Sequence, residues 1–269
     1  MVIAPTYDRT MSADPFAKWR EDLKSWAIPQ HILDAAPESP WIHPVENFTP
    51  RGDLRVDVPS RLRAVEALPE GGSVLDIGCG GGRAAFGLVP PAASVVGVDQ
   101  QQAMLDVFAR EAAARGVQCT TVLGDWPAVS APTPACDVVV CHHVFYNVQD
   151  LAPFVTELSA HAHRRVVVEL PRRHPLSSLS GAWDDFWGLT RPENPTAEDA
   201  LECVRALGVD AHLETFSEPP PAAREVTDAD VRHTRVRMCL PSDRDDDVRT
   251  WLEANPRPGR QLATIWWDV

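Results

Sequence analysis

Lysine is almost missing from this chain: Lys18 and Lys24 are the only two, and 25 basic residues stand against 38 acidic ones, a net charge of −13. Phosphate backbones are held by clustered Lys and Arg, so a chain this acidic repels polyanions, and no nucleic-acid partner is expected. No stretch reaches the ~20 consecutive apolar residues that a membrane span requires. The first 30 residues are interrupted by Asp14, Lys18, Arg20 and Glu21 and lack the apolar core of a secretory signal. The expectation is a soluble, cytoplasmic protein with no membrane partner. The six cysteines (Cys79, Cys119, Cys136, Cys141, Cys203, Cys239) include no CxxC pair. Four lie in or beside apolar runs, where a thiol behaves as a small hydrophobe, so they read as reduced and structural. Internal repeats and low-complexity tracts are absent as well.

What is present is 44% hydrophobic sequence, enough for a sizeable core. From about residue 73, short β-branched runs alternate with amphipathic stretches, the pattern of a parallel sheet covered by helices on both faces. The strand candidates are Val74 to Ile77, Val95 to Asp99, Thr120 to Leu123, Asp137 to Cys141 and Arg165 to Leu170. Two more, at Val209 to Phe216 and Ala263 to Trp267, extend the sheet to seven. Met104, Val107 and Phe108, and then Leu151, Phe154, Val155 and Leu158, recur at helical spacing. Ala197 to Leu207 reads as a helix closed by Gly208. The predicted fold is a doubly wound, mainly parallel seven-stranded α/β sheet. Residues 1–58 form an N-terminal helical and irregular cap, and residues 59–269 form the core. A helical insertion at about 217–258 precedes the last strand, as two helices N-capped by Thr227 and Ser242. The first of these also alternates Val236, Met238 and Leu240 as a strand would.

The most informative stretch runs from Val74 to Arg83, VLDIGCGGGR, a strand that passes directly into a glycine-rich turn and then a helix. Glycines at the carboxyl edge of such a sheet let the backbone approach a ligand closely. A dinucleotide fingerprint, G-x-G-x-x-G from Gly78, would need glycine at position 83, which is arginine. The spacing is instead G-x-G-x-G over Gly78, Gly80 and Gly82, with Asp76 ahead of it. This arrangement resembles motif I of the class I methyltransferases that use S-adenosylmethionine (SAM). The resemblance implies that Asp76 approaches the donor's amino-acid end and that the glycines make room for its methionine and ribose parts. Asp99, which ends the second strand, is placed to accept the ribose hydroxyls. By the same resemblance Asp125, after Gly124, lies at the adenine amino group, with Trp126 beside it to cover the ring. Cys79, Gln100, Met104, Gly124 and His142 complete the expected cofactor set. The resemblance covers roughly residues 60–175.

The stretch from Cys141 to Leu151 looks like the family's region after the fourth strand, beside the transferable methyl. Methyl transfer from a sulfonium is an in-line displacement, so alignment and exclusion of water matter most. A base is needed only if the acceptor must lose a proton, and His142, His143 and Tyr146 are the candidates. The N-terminal cap and the 227–253 segment are the candidates for the pocket of a small-molecule acceptor; their aromatics, with Trp183, Phe186 and Trp187, could wall it, although core packing is the favoured role for most of them. Arg232, Arg235 and Arg237 read as a solvated helix face rather than an anion site. No metal is expected, because Asn147 and Asp150 do not assemble a ligand set. Two other readings stay open: a SAM-binding accessory or regulatory protein without turnover, and an NAD-dependent oxidoreductase that fails on glycine spacing.

Overall fold

The computed structural model describes residues 14–41, 49–50, 52–222 and 224–269. Part of the N-terminal cap, including Pro5 and Pro44, lies outside these residues. Seven strands form one sheet: β1 Ser73–Ile77, β2 Ser94–Asp99, β3 Gln118–Leu123, β4 Cys136–His142, β5 Ala162–Pro171, β6 His212–Glu218 and β7 Arg260–Asp268. Their order is β3-β2-β1-β4-β5-β7-β6. All pairs are parallel except those of β7, which runs antiparallel to both β5 and β6. The fold is thus the doubly wound, mainly parallel α/β sheet read from the sequence.

Burial follows from this topology. Inner strands covered on both faces must be apolar throughout, and β1 and β4 are almost continuously buried. One face packs Val74, Val138, Val140 and Val167 under α3 (Pro59–Ala67), α4 (Arg83–Phe86) and α5 (Gln102–Arg115). The other packs Leu75, Val139, Val166 and Val168 under α6 (Leu151–Ala160) and α8 (Ala197–Ala206). The N-terminal helix α1 (Pro15–Ser25) joins that second layer through Trp19, fully buried, whose Nε1 donates to the Val148 carbonyl at 2.8 Å.

A third cluster gathers α2 (Gln30–Ala35), α7 (Ser180–Trp187), α9 (Asp228–Arg237) and α10 (Asp245–Ala254) around Ile32, Trp183, Val231 and Leu252. Thr227 caps α9 with a full capping box to Asp230, so the segment whose apolar residues alternate like a strand is helical. Ser242 caps nothing. It opens a single 3₁₀ turn ahead of α10, and neither that turn nor α10 has a side-chain cap. The expected pair of helices is present, while the second begins three residues later than its proposed cap.

Candidate active site

The loop between β1 and α4 is shaped by its glycines. Gly78, Gly80 and Gly82 all have positive φ, at 69°, 50° and 90°. They serve different ends. A Cβ on Gly78 would sit 2.5 Å from the Val144 Cγ2, so this glycine lets the loop lie against the chain that leaves β4. A Cβ on Gly82 would meet Phe86 at 2.2 Å and Phe108 at 2.8 Å, so that glycine serves helix packing rather than ligand approach.

Two carboxylates flank the loop. Asp99 accepts from the Gly80 amide with Oδ2 at 3.0 Å and from the Gln101 amide with Oδ1 at 2.9 Å. Each oxygen keeps a second lone pair for a ligand hydroxyl. Asp76 lies beneath the loop, 1% exposed, and accepts from the Ala85 amide at 3.2 Å. Burial, with a smaller contribution from the charge of Asp99, pushes its carboxyl up to about 7. A buried carboxylate with no basic partner among the described residues suits a cationic group such as an α-ammonium. These residues fit the amino-acid and ribose parts of a SAM molecule.

A second polar cluster gathers where β4 and β5 end. Parallel register sets His142 beside Glu169. The same face carries Val140 and Val167, so both side chains are directed toward the α3 and α4 side. Glu169 is 8% exposed and accepts a hydrogen bond from the Ser60 hydroxyl on α3. Its Oε1 lies 3.3 Å from His143 Nε2 and 4.0 Å from His142 Nδ1. Burial alone would raise the Glu169 carboxyl, but His143 and Ser60, which hydrogen-bond to it, hold it below the usual range. Burial acts oppositely on His142, lowering it to about 4 against the attraction of Glu169, so this imidazole is neutral at working pH. His143 has a left-handed backbone, φ 61°, fixed by its amide donating to the Glu169 carbonyl at 2.7 Å.

These groups line a cavity of about 540 Å³. It is lined by Ser60, His142, His143, Glu169 and Arg83, together with Val56, Val58, Leu88 and Phe216. From the N-terminal cap, Leu54, Val56 and Val58 line this cavity. The aromatics take the core-packing role favoured for them. Trp183 is buried in the third cluster with Phe186 and Trp187 packed against it, and none of the three lines the cavity. Arg235 is buried rather than solvated and pairs with Glu38 and Asp245, while Arg232 shares Glu38.

Other sequence-derived candidates fall in different places. Tyr146 is buried, and its hydroxyl donates to the Pro171 carbonyl at 2.8 Å while its ring stacks on Trp19. Burial raises its phenol far above the ordinary value, so it is a structural donor and not a base. Trp126 is also a packing residue: its Nε1 reaches the Phe154 carbonyl at 3.3 Å and His161 meets its ring edge-on. Cys79 and Met104 are buried, whereas Gln100 and Asp125 are exposed beyond the ends of β2 and β3. Gly124 is tied to Asp99 through its amide at 3.0 Å. Sequence reasoning missed Glu169 and Ser60. An acid between Val168 and Leu170 in an apolar strand was a readable signal for the first; Ser60 carried none. Among the described residues no group of His, Cys, Asp or Glu could hold a metal ion, and no helix is long and apolar enough to cross a membrane.

Residues 74–164 match the family model of the methyltransferase domain. Among solved structures the chain is similar to the YcgJ protein of Bacillus subtilis, at 19% identity and TM-score 0.54 over 78% of this chain and 97% of that one. It is also similar to a SAM-dependent methyltransferase from Thiobacillus denitrificans solved with S-adenosylhomocysteine, at 18% identity and TM-score 0.51 over 84% and 98%. At these identities the likeness is one of fold. No curated protein sequence matches the chain.

Proposed function

We propose that this chain, whose residues 74–164 match the methyltransferase-domain model and whose fold resembles that of a SAM-dependent methyltransferase, transfers a methyl group from SAM to a small-molecule acceptor held in the cavity where β4 and β5 end. The observation that carries this is the loop after β1, with Gly78 lying against Val144, Asp76 buried beneath it and Asp99 holding Gly80. SAM supplies an electrophilic methyl on a sulfonium, and S-adenosylhomocysteine is its product. The rest falls to this chain's residues. Asp99 binds the ribose hydroxyls through its free lone pairs, and Asp76 neutralises the donor's ammonium group. The cavity holds the acceptor in line with the methyl, and alignment is where such a displacement gains much of its rate. The mainly apolar walls and the net charge of −13 favour a small organic acceptor over nucleic acid, in the cytoplasm rather than at a membrane.

The test is transfer of labelled methyl from SAM to a panel of hydroxyl-, amine- and carbon-acid acceptors, with Asp99→Ala as control. Transfer that depends on Asp99 is the expected result. SAM binding without transfer to any acceptor would mark a regulatory SAM-binding protein instead.

A further inference from the structure

Glu169 touches His143 twice. Its carbonyl accepts from the His143 amide at 2.7 Å, and its Oε1 stands 3.3 Å from the His143 Nε2. The first contact helps hold a left-handed backbone that a non-glycine residue adopts only when its surroundings impose it. Such conformations cluster at functional sites. The second fixes the tautomer, since a carboxylate beside Nε2 keeps the proton there and leaves the lone pair on Nδ1. Glu169 is in turn held by Ser60 from α3. His143 is 41% exposed at its side chain, so it can exchange a proton with solvent, whereas the neighbouring His142 is half as exposed and neutral.

We propose that Glu169 is a positioning residue that sets His143 as the proton acceptor for a hydroxyl-bearing substrate, a phenol or enol on an apolar body. This rests on the methyltransferase reading of the same site. As the oxygen attacks, its proton passes to His143 Nδ1. The new O–CH3 bond forms while the S–CH3 bond breaks, and the bonding pair leaves with sulfur as a neutral thioether. The imidazolium then stands against the Glu169 carboxylate and returns its proton to solvent.

The remaining charged groups around this imidazole fit the scheme. Arg83, at the start of α4, has no carboxylate partner among the described residues and favours an anionic oxygen in the cavity. Arg61 is engaged by Asp57 and the Gly87 carbonyl, and Arg260 by Glu218 at the rim. A hydroxyl is the nucleophile that needs this arrangement, because it is a poor nucleophile until its proton leaves. A neutral amine attacks first and sheds its proton afterwards. The apolar walls and a volume of about 540 Å³ suit a body of one or a few rings.

The test uses 4-nitrophenol as a chromophoric probe on the full chain saturated with S-adenosylhomocysteine, one pH unit below the probe's own pKa. The wild-type protein is expected to hold the probe mostly as phenolate. Glu169→Gln and His143→Gln are expected to hold it mostly as phenol while binding S-adenosylhomocysteine with unchanged affinity. With labelled SAM, transfer to the probe should lose about tenfold in kcat in either variant, the share of probe that is not already ionised one pH unit below its pKa, with KM little changed. Equal ionisation of the bound probe in Glu169→Gln, or no probe binding to the wild type, would overturn the inference. Failure of the wild type to bind S-adenosylhomocysteine would instead remove the methyltransferase reading beneath it. If Glu169→Gln does not fold, His143→Gln and Ser60→Ala carry the same comparison.

Discussion

Asp99, the last residue of β2, reaches across to the loop that follows β1 and holds the Gly80 amide at 3.0 Å. The bond ties the two strands' carboxyl ends together and presents the remaining lone pairs of Asp99 where a ribose would lie. Asp99→Asn keeps much of this geometry and loses the charge, while Asp99→Ala loses both. Calorimetry with S-adenosylhomocysteine is expected to show affinity falling about tenfold in the first and a hundredfold or more in the second. Equal affinity in all three proteins would remove Asp99 from the cofactor site.

Asp76 makes a prediction in pH. Burial raises its carboxyl from an ordinary 3.8 to about 7, so between those values the folded chain keeps a proton that the unfolded chain has lost. The native state then binds more protons, and stability falls as pH rises through that window and levels off above it. Asp76→Asn is expected to melt higher than the wild type at pH 8 by an amount corresponding to ~4 kcal/mol. The same variant is expected to bind SAM more weakly, having no charge for the donor's ammonium group. A lower melting temperature at pH 8 would contradict the placement of an unneutralised Asp76 under the loop.

Tyr146 separates structural from catalytic use of a conspicuous residue. Its hydroxyl is committed to the Pro171 carbonyl and its ring to Trp19. Tyr146→Phe is expected to cost about 1 kcal/mol of stability, read by denaturant titration, with kcat within twofold of wild type. A hundredfold loss of kcat in a folded protein would return Tyr146 to the proton-transfer candidates.

Much of this was legible before the structure. The alternation of apolar runs and periodic stretches gave all seven strands within a few residues, most clearly β1 and β4, which as inner parallel strands must be apolar on both faces. Motif spacing located Asp76, Gly78, Gly80 and Asp99, since the backbone around them is dictated locally by glycine and a strand end. The parts that escaped depend on long-range placement. Ser60 meets Glu169 across 109 residues of sequence. Trp126 was read as a ring cover because it follows Asp125, but nothing local reveals that its indole turns inward to Phe154 and His161. Ser242 looked like a helix cap, yet the 3₁₀ turn it opens is set by Pro241 and by packing of α10.

Arg191 joins the N-terminal helices to the core. It is 7% exposed, stacks between Trp26 and Trp183 with its guanidinium 5.2 Å from each ring, and donates to the Trp26 and Ala27 carbonyls. Arg191→Ala is expected to cost ~2–4 kcal/mol, from lost stacking and unpaired carbonyls together. Hydrogen exchange would show the loss concentrated in α1 and α2 if the helices open locally. Unchanged protection there would mean that the other contacts, such as Trp19 with Val148 and Ile32 in the third cluster, secure this segment without it.

The central claim is the identity of the cofactor, and calorimetric titration of the purified chain with SAM, S-adenosylhomocysteine and NADH tests it most directly. The expected result is micromolar binding of both sulfur nucleotides, weakened in Asp99→Ala, with no heat from NADH. Binding of NADH alone, or of none of the three, would contradict it.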